Sequence, residues 1–151
     1  MPRWRRWARN DDGSAALEFI TVGVILLVPL AYLVITLGAV QESLLGVEAA
    51  ARHTARVIGQ ADDAESAAEN SDAVLASVMD EYGMDAESVE VSMSCAPAGA
   101  ACPSAGATVI VTVSTRVSLP FVPPVFGLDK AASIPLEAAA AQKVSRLWGT
   151  G

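Results

Sequence analysis

From Phe19 to Val40 the chain runs twenty-two residues without a charge. As an α-helix that run measures about 33 Å at ~1.5 Å per residue, enough to cross a hydrocarbon core of about 30 Å. It is too long and uniform for the apolar part of a secretory signal, and no convincing small-x-small cleavage site follows it. The reading is a single transmembrane helix, residues 19–40, within a longer helix over residues 14–59.

Composition supports a membrane segment. Of 151 residues, 52% are hydrophobic and 18% charged, a balance too apolar for a small domain whose surface must face water. The net charge of −7, from 10 Lys and Arg against 17 Asp and Glu, argues against general nucleic-acid binding. One His and two Cys exclude most metal clusters, and no cofactor or metal is expected. Charge also orients the span. Arg3, Arg5, Arg6 and Arg9 precede it, whereas no Lys or Arg follows until Arg52. The positive-inside rule then puts the N-terminus in the cytoplasm and everything after Val40 outside, with Trp4 and Trp7 suited to the headgroup level.

Beyond the span, Val47, Ala50, Ala51, Thr54, Ala55 and Ile58 fall on one stripe, with Glu48, Arg52 and Arg56 on another face. Pro29 predicts a kink, and Gly59 is a plausible helix stop. Residues 62–82 read as a second, amphipathic helix, with a capping box from Asp62 and Glu65 and a C-terminal cap at Gly83. Its apolar stripe is Ala64, Ala67/Ala68, Ser71, Leu75, Val78/Met79 and Tyr82. Ten acids and no base lie between Asp62 and Glu90, a solvated face in preference to an acidic docking surface.

The period then changes to two. Val89, Val91 and Met93, and later Val109, Val111, Val113 and Thr115, alternate with mostly polar neighbours, as half-buried strands do. Pro120, Pro123, Pro124 and Gly127 enforce a loop. Residues 134–143 have helix propensity, but a third strand would complete a sheet that two strands cannot stabilise, and strand is the preferred reading. The fold class expected is α+β: a long N-terminal helix, a second amphipathic helix and a small antiparallel sheet of two or three strands, with residues 60–151 as the extracytoplasmic domain. Cys95 and Cys102 lie outside the membrane in that topology, where disulfides persist. The rival reading, a redox or metal pair, lacks thioredoxin spacing and a nearby His.

The residues with the most functional content are Gly13, Ser14, Glu18 and Phe19. A basic leader ends in Gly13, and five residues later a lone carboxylate stands at the mouth of the uncharged run; Glu18 taken alone would only mark the interface. Arg-rich leader, Gly, five residues ending in Glu, an aromatic, then an apolar helix: together these resemble the class III signal of type IV pilins. More specifically, Gly13-Ser-Ala-Ala-Leu-Glu-Phe19, Pro29 and the Ala49-Ala-Ala-Arg52…Ala55-Arg56 stretch resemble TadE-like proteins, minor pseudopilins of the tight-adherence (Flp, type IVb) pilus. Ser14 stands where many type IV pilins have Phe, and Phe19 where the Flp branch commonly has Tyr.

That resemblance implies a pilin-like fold and cleavage between Gly13 and Ser14 by a membrane prepilin peptidase, removing residues 1–13. It implies that Glu18 pairs with the N-terminal amine of a neighbouring subunit, a sensible arrangement because two opposite charges enter lipid more cheaply together. The expected partners are the peptidase, other pilin or pseudopilin subunits, the assembly platform and the lipid membrane. The expected location is the cell membrane, single-pass, with access to the surface pilus. Cleavage would leave 6 bases (10 less 4) against 15 acids (17 less 2), a net −9 before the new amine. No catalytic set is evident: His53, between Arg52 and Thr54, reads as a helix-surface side chain, and no phosphate loop or nucleophile elbow occurs. A subunit is expected, not an enzyme. The alternative is an unprocessed, signal-anchored protein whose outer domain binds a ligand.

Overall fold

The computed structural model describes residues 11–99, 101–122, 125–127 and 131–150, with side chains from Ala15 onward. The basic leader, with its arginines and Trp4 and Trp7, lies outside the described residues up to position 10, as do Pro123 and Pro124. The architecture is α+β: helix α1 (Asp11–Gln60), helix α2 (Ala64–Glu81), a short 3-10 turn (Ala86–Ser88), and strands β1 (Glu90–Ala96), β2 (Thr108–Ser118) and β3 (Ser133–Lys143). The chain divides into two compact units between Leu37 and Gly38, so α1 contributes to both.

In the first unit α1 is a bare apolar rod. It runs unbroken through Pro29, and Leu17, Phe19, Ile25, Leu26 and Leu27 are each more than 60% exposed. So large an exposed apolar surface marks a helix that meets lipid or other protein. By length and composition the helix can cross a membrane.

The second unit has a core. The stripe read from the sequence is the buried face of α1: Val47, Ala50, Ala51, Thr54 and Ala55 are at most 2% exposed and Ile58 is 7% exposed. It packs on a sheet of order β1-β2-β3, antiparallel throughout. β2 is the central strand, and Val109, Val111 and Val113 are fully buried. Register places Val91, Met93 and Cys95 of β1 and Ala138, Ala140 and Gln142 of β3 beside those valines on the same face. β3 forms despite its alanine run because all eleven of its residues pair with β2, and small side chains let α1 come close.

Close approach explains two glycines of α1, Gly46 against the end of α2 and Gly59 against β3. A Cβ on Gly46 would lie 2.9 Å from Tyr82 Cβ, and one on Gly59 would lie 2.5 Å from Gln142 Cγ. Gly59 is therefore not the stop that the sequence suggested: the helix passes through it to Gln60, and its carbonyl accepts a hydrogen bond from the Ser145 amide at 2.8 Å. The C-terminal segment is tied down here as well, since the Gly149 amide donates to the Asp62 carbonyl at 2.7 Å and Val144 is buried.

The start of α2 also departs from expectation. Its N-cap is Asp63, not Asp62, and the reciprocal partner is Ser66, not Glu65. The Ser66 amide donates to the Asp63 carboxylate at 2.8 Å, and the Asp63 amide donates to Ser66 Oγ at 3.3 Å. A serine hydroxyl serves the box because it both accepts and donates. At the other end Gly83, at φ +59°, continues past the Tyr82 cap, and the Met84 amide reaches the Met79 carbonyl at 2.9 Å. That is the Schellman arrangement, which needs the left-handed region and hence glycine. The buried face of α2 is Ala67, Ser71 and Val78, while Ala64 and Ala68 stay exposed.

Candidate functional site

Two regions carry chemistry that a packed core does not explain, one in each unit. In the first, α1 is already helical at Asp11, so Gly13 and Ser14 lie on helical backbone. Of the described side chains up to Val40, only that of Glu18 is charged, and it is exposed between Leu17 (67%) and Phe19 (80%). The adjacent polar side chain is occupied: Thr21 donates its hydroxyl to the Leu17 carbonyl at 2.7 Å. The arrangement is thus one carboxylate on an otherwise uncharged apolar surface. It can accept a cation or hydrogen-bond donors, and in apolar surroundings a carboxylate is costly unless it has one.

In the second unit, a groove of about 400 Å³ runs between α2 and the edge of the sheet, lined by Ile58, Ala67, Leu75, Val91, Met93 and Pro103 among others. Sequence alternation suggested that β1 is half-buried; instead Val91 and Met93 remain 44% and 46% exposed on the face that β2 buries. The cause is geometric. β1 is an edge strand, and α1 lies over β2. Thr54 also lines the groove, and its Oγ1 is buried without a hydrogen-bond partner. Alternation shows which face of a strand is apolar but not whether a neighbour reaches it, so the groove had no signal in the sequence.

Cys95 and Cys102 form a disulfide with Cα atoms 5.6 Å apart, closing the connection between β1 and β2. Their reading as a cross-link is the one the structure supports. Among the described residues, no three His, Cys, Asp or Glu side chains gather to hold a metal ion. His53 is exposed on α1 beside the Arg52–Glu48 ion pair (2.7 Å), a surface pair of small energetic weight.

Among the described residues, the N-cap of α2 holds a carboxyl whose titration is displaced. The Ser66 amide, then the Ser66 hydroxyl, hold the Asp63 carboxyl below its ordinary value of 3.8. This is a capping effect. No protein-family model matches the chain, and neither a curated protein nor a solved structure does.

Proposed function

We propose that the chain is a TadE-like minor pseudopilin, cleaved after Gly13 by a prepilin peptidase and assembled with other pilin-type subunits of a tight-adherence pilus. The observation that carries the reading is the segment Gly13-Ser-Ala-Ala-Leu-Glu18-Phe19 at the start of α1, leading directly into the part of that helix that is uncharged and exposed. An exposed apolar helix needs lipid or other helices, and a lone carboxylate at its mouth needs a counter-charge. The amine freed on Ser14 of a neighbouring subunit supplies one. The N-terminus is cytoplasmic before cleavage and the α+β unit is extracytoplasmic, consistent with a disulfide in that unit. In this reading the protein is a structural subunit without a catalytic role.

The test is Glu18→Ala against Glu18→Asp in cells that assemble the pilus, read by immunoblot of the chain in membrane and sheared-surface fractions and by crosslinking to other pilins. Loss of crosslinking and of pilus assembly in Glu18→Ala, partly restored in Glu18→Asp, is expected. Normal crosslinking and assembly in Glu18→Ala would remove the pairing role and favour a signal-anchored binding protein.

A further inference from the structure

The groove between α2 and β1 lies beside the edge of the sheet, and that edge is unguarded. Among the described residues β1 is hydrogen-bonded to β2 alone, so every second residue along it turns its N–H and C=O away from the sheet. Such a row of backbone groups is a template for another strand, and proteins ordinarily guard it with proline, lysine or a bulge. The opposite edge has guards: β3 carries Pro135, Glu137 and Lys143. β1 has none of these. Its register with β2 runs through seven consecutive pairs without a bulge, and from Val91 to Ala96 it has neither a charge nor a proline.

The side chains beside that edge are incomplete in the same way. Val91 and Met93 line the groove with nearly half of their surface still in water, and Leu75 of α2 is only partly buried. Thr54 lines it too; it is 2% exposed, and its Oγ1 has no hydrogen-bond partner. The rim on α2 is acidic. Asp72 lines the groove, and Glu65 and Glu69 precede it by seven and three residues, on the same ridge of the helix. All three are exposed, and none has a basic partner among the described residues.

We propose that the β1 edge takes up an extended segment of a partner protein as a fourth strand, its apolar side chains seated in the groove and its Lys or Arg side chains against the ridge of Glu65, Glu69 and Asp72. The inference goes beyond the pilin reading and does not rest on it. Strand addition completes both open features at once: main-chain hydrogen bonds fill the edge, and alternate side chains fill the groove. The segment must be apolar at period two, because only every second side chain of an added strand faces α2. Its basic residues follow from charge complementarity, since the rim presents three carboxylates and no cation. Two other occupants fit less well. A lipid chain would cover Val91 and Met93 but offers no hydrogen bond to the strand edge or to Thr54. A second copy joined edge to edge would set one acidic ridge against the other, in a chain that already carries 17 acids against 10 bases.

The test uses the full chain in phosphatidylcholine nanodiscs, whose lipid has no net charge, and three capped peptides built from valine and threonine. One alternates the two residues and carries lysines at both ends, one alternates them between glutamates, and one keeps the lysines but reorders the middle to break the alternation. Hydrogen exchange read residue by residue along β1 should show the alternating lysine peptide protecting those amides that exchange freely in the chain alone. The glutamate peptide should bind on the order of tenfold more weakly at low salt, and the reordered peptide should give no protection. N-methylation of the lysine peptide on one set of alternate amides should abolish protection, and on the other set should leave it, because an added strand is bonded to this edge along one side only. Glu69→Lys together with Asp72→Lys should reverse the preference between lysine and glutamate ends. Equal binding of the lysine and glutamate peptides overturns the basic partner. Binding without protection of β1, or equal protection by the reordered peptide, overturns strand addition, and no binding by any peptide overturns the site. Protection of β1 that rises with protein concentration in the absence of peptide gives the edge to a second copy and also overturns the proposal.

Discussion

Replacing Gly46 with Ala sets helix propensity against packing at one atom. Within α1 the change should favour the helix by about 1 kcal/mol, because alanine is the better helix former. The added Cβ, however, would lie 2.9 Å from Tyr82 Cβ and 3.0 Å from both Tyr82 Cγ and Met84 Sδ. Carbon atoms pack at about 3.5–4.0 Å, so the closest contact falls short by about 0.6 Å. Rotating a side chain cannot relieve it: Tyr82 Cβ is fixed by the backbone of the α2 cap, which the Met84–Met79 hydrogen bond holds. The end of α2 must move, and overpacking of this kind costs about 1–3 kcal/mol. With the clash at the upper part of that range and propensity subtracted, the net destabilisation is about 1–2 kcal/mol. For a domain of about 100 residues that lowers Tm by about 5–10 °C. The assay is thermal unfolding of the full chain in detergent micelles, followed by near-UV circular dichroism. Gly38→Ala is the control, since nothing lies within 4 Å of a Cβ there, and it should not lower Tm. A Gly46→Ala protein as stable as the wild type, or more so, would refute the close packing of α1 on the end of α2.

Two other outcomes follow from the second unit. The Asp63 carboxyl is held below its ordinary value by the Ser66 amide and hydroxyl, so its contribution to α2 is complete above about pH 4 and is lost as pH falls through the lower folded-state value. Asp63→Asn, which keeps a capping oxygen without the titration, should flatten that acid limb in far-UV circular dichroism, and an unchanged limb would show that other carboxylates cause it. Reducing the Cys95–Cys102 disulfide, which closes a loop of separation 7, should lower the stability of the second unit by about 2.5 kcal/mol in the chain-entropy model. Urea titrations with and without reductant measure this, and coincident curves would contradict it.

How far residues alone revealed the fold depended on whether local pattern or long-range packing decides each feature. The α1 stripe from Val47 to Ile58 was legible in full, because a 3.6-residue period reports the face that must leave water. The valines of β2 were legible for the same reason at period two. The N-cap was misplaced by one residue: Asp62 and Asp63 are chemically equal candidates, and only the turn leaving Gln60 selects the second. Gly59 looks like a helix stop in isolation and becomes a site of close approach only when β3 arrives, eighty residues later in the chain. The exposure of Val91 and Met93, and that of Phe121 and Phe126, belong to three-dimensional placement at an edge and at a hairpin tip. The Gly13 to Phe19 segment is the reverse case. Its information is in the residues, and the bare apolar stretch of α1 that continues from it adds only the surroundings in which a lone Glu18 needs a partner.

The central claim, cleavage after Gly13, is tested most directly by intact mass and N-terminal sequencing of the protein recovered from its native membrane. The account predicts a mature chain beginning at Ser14, and the full leader retained in cells lacking prepilin peptidase. A native chain still carrying Arg3 to Gly13 in cells with an active peptidase would contradict it.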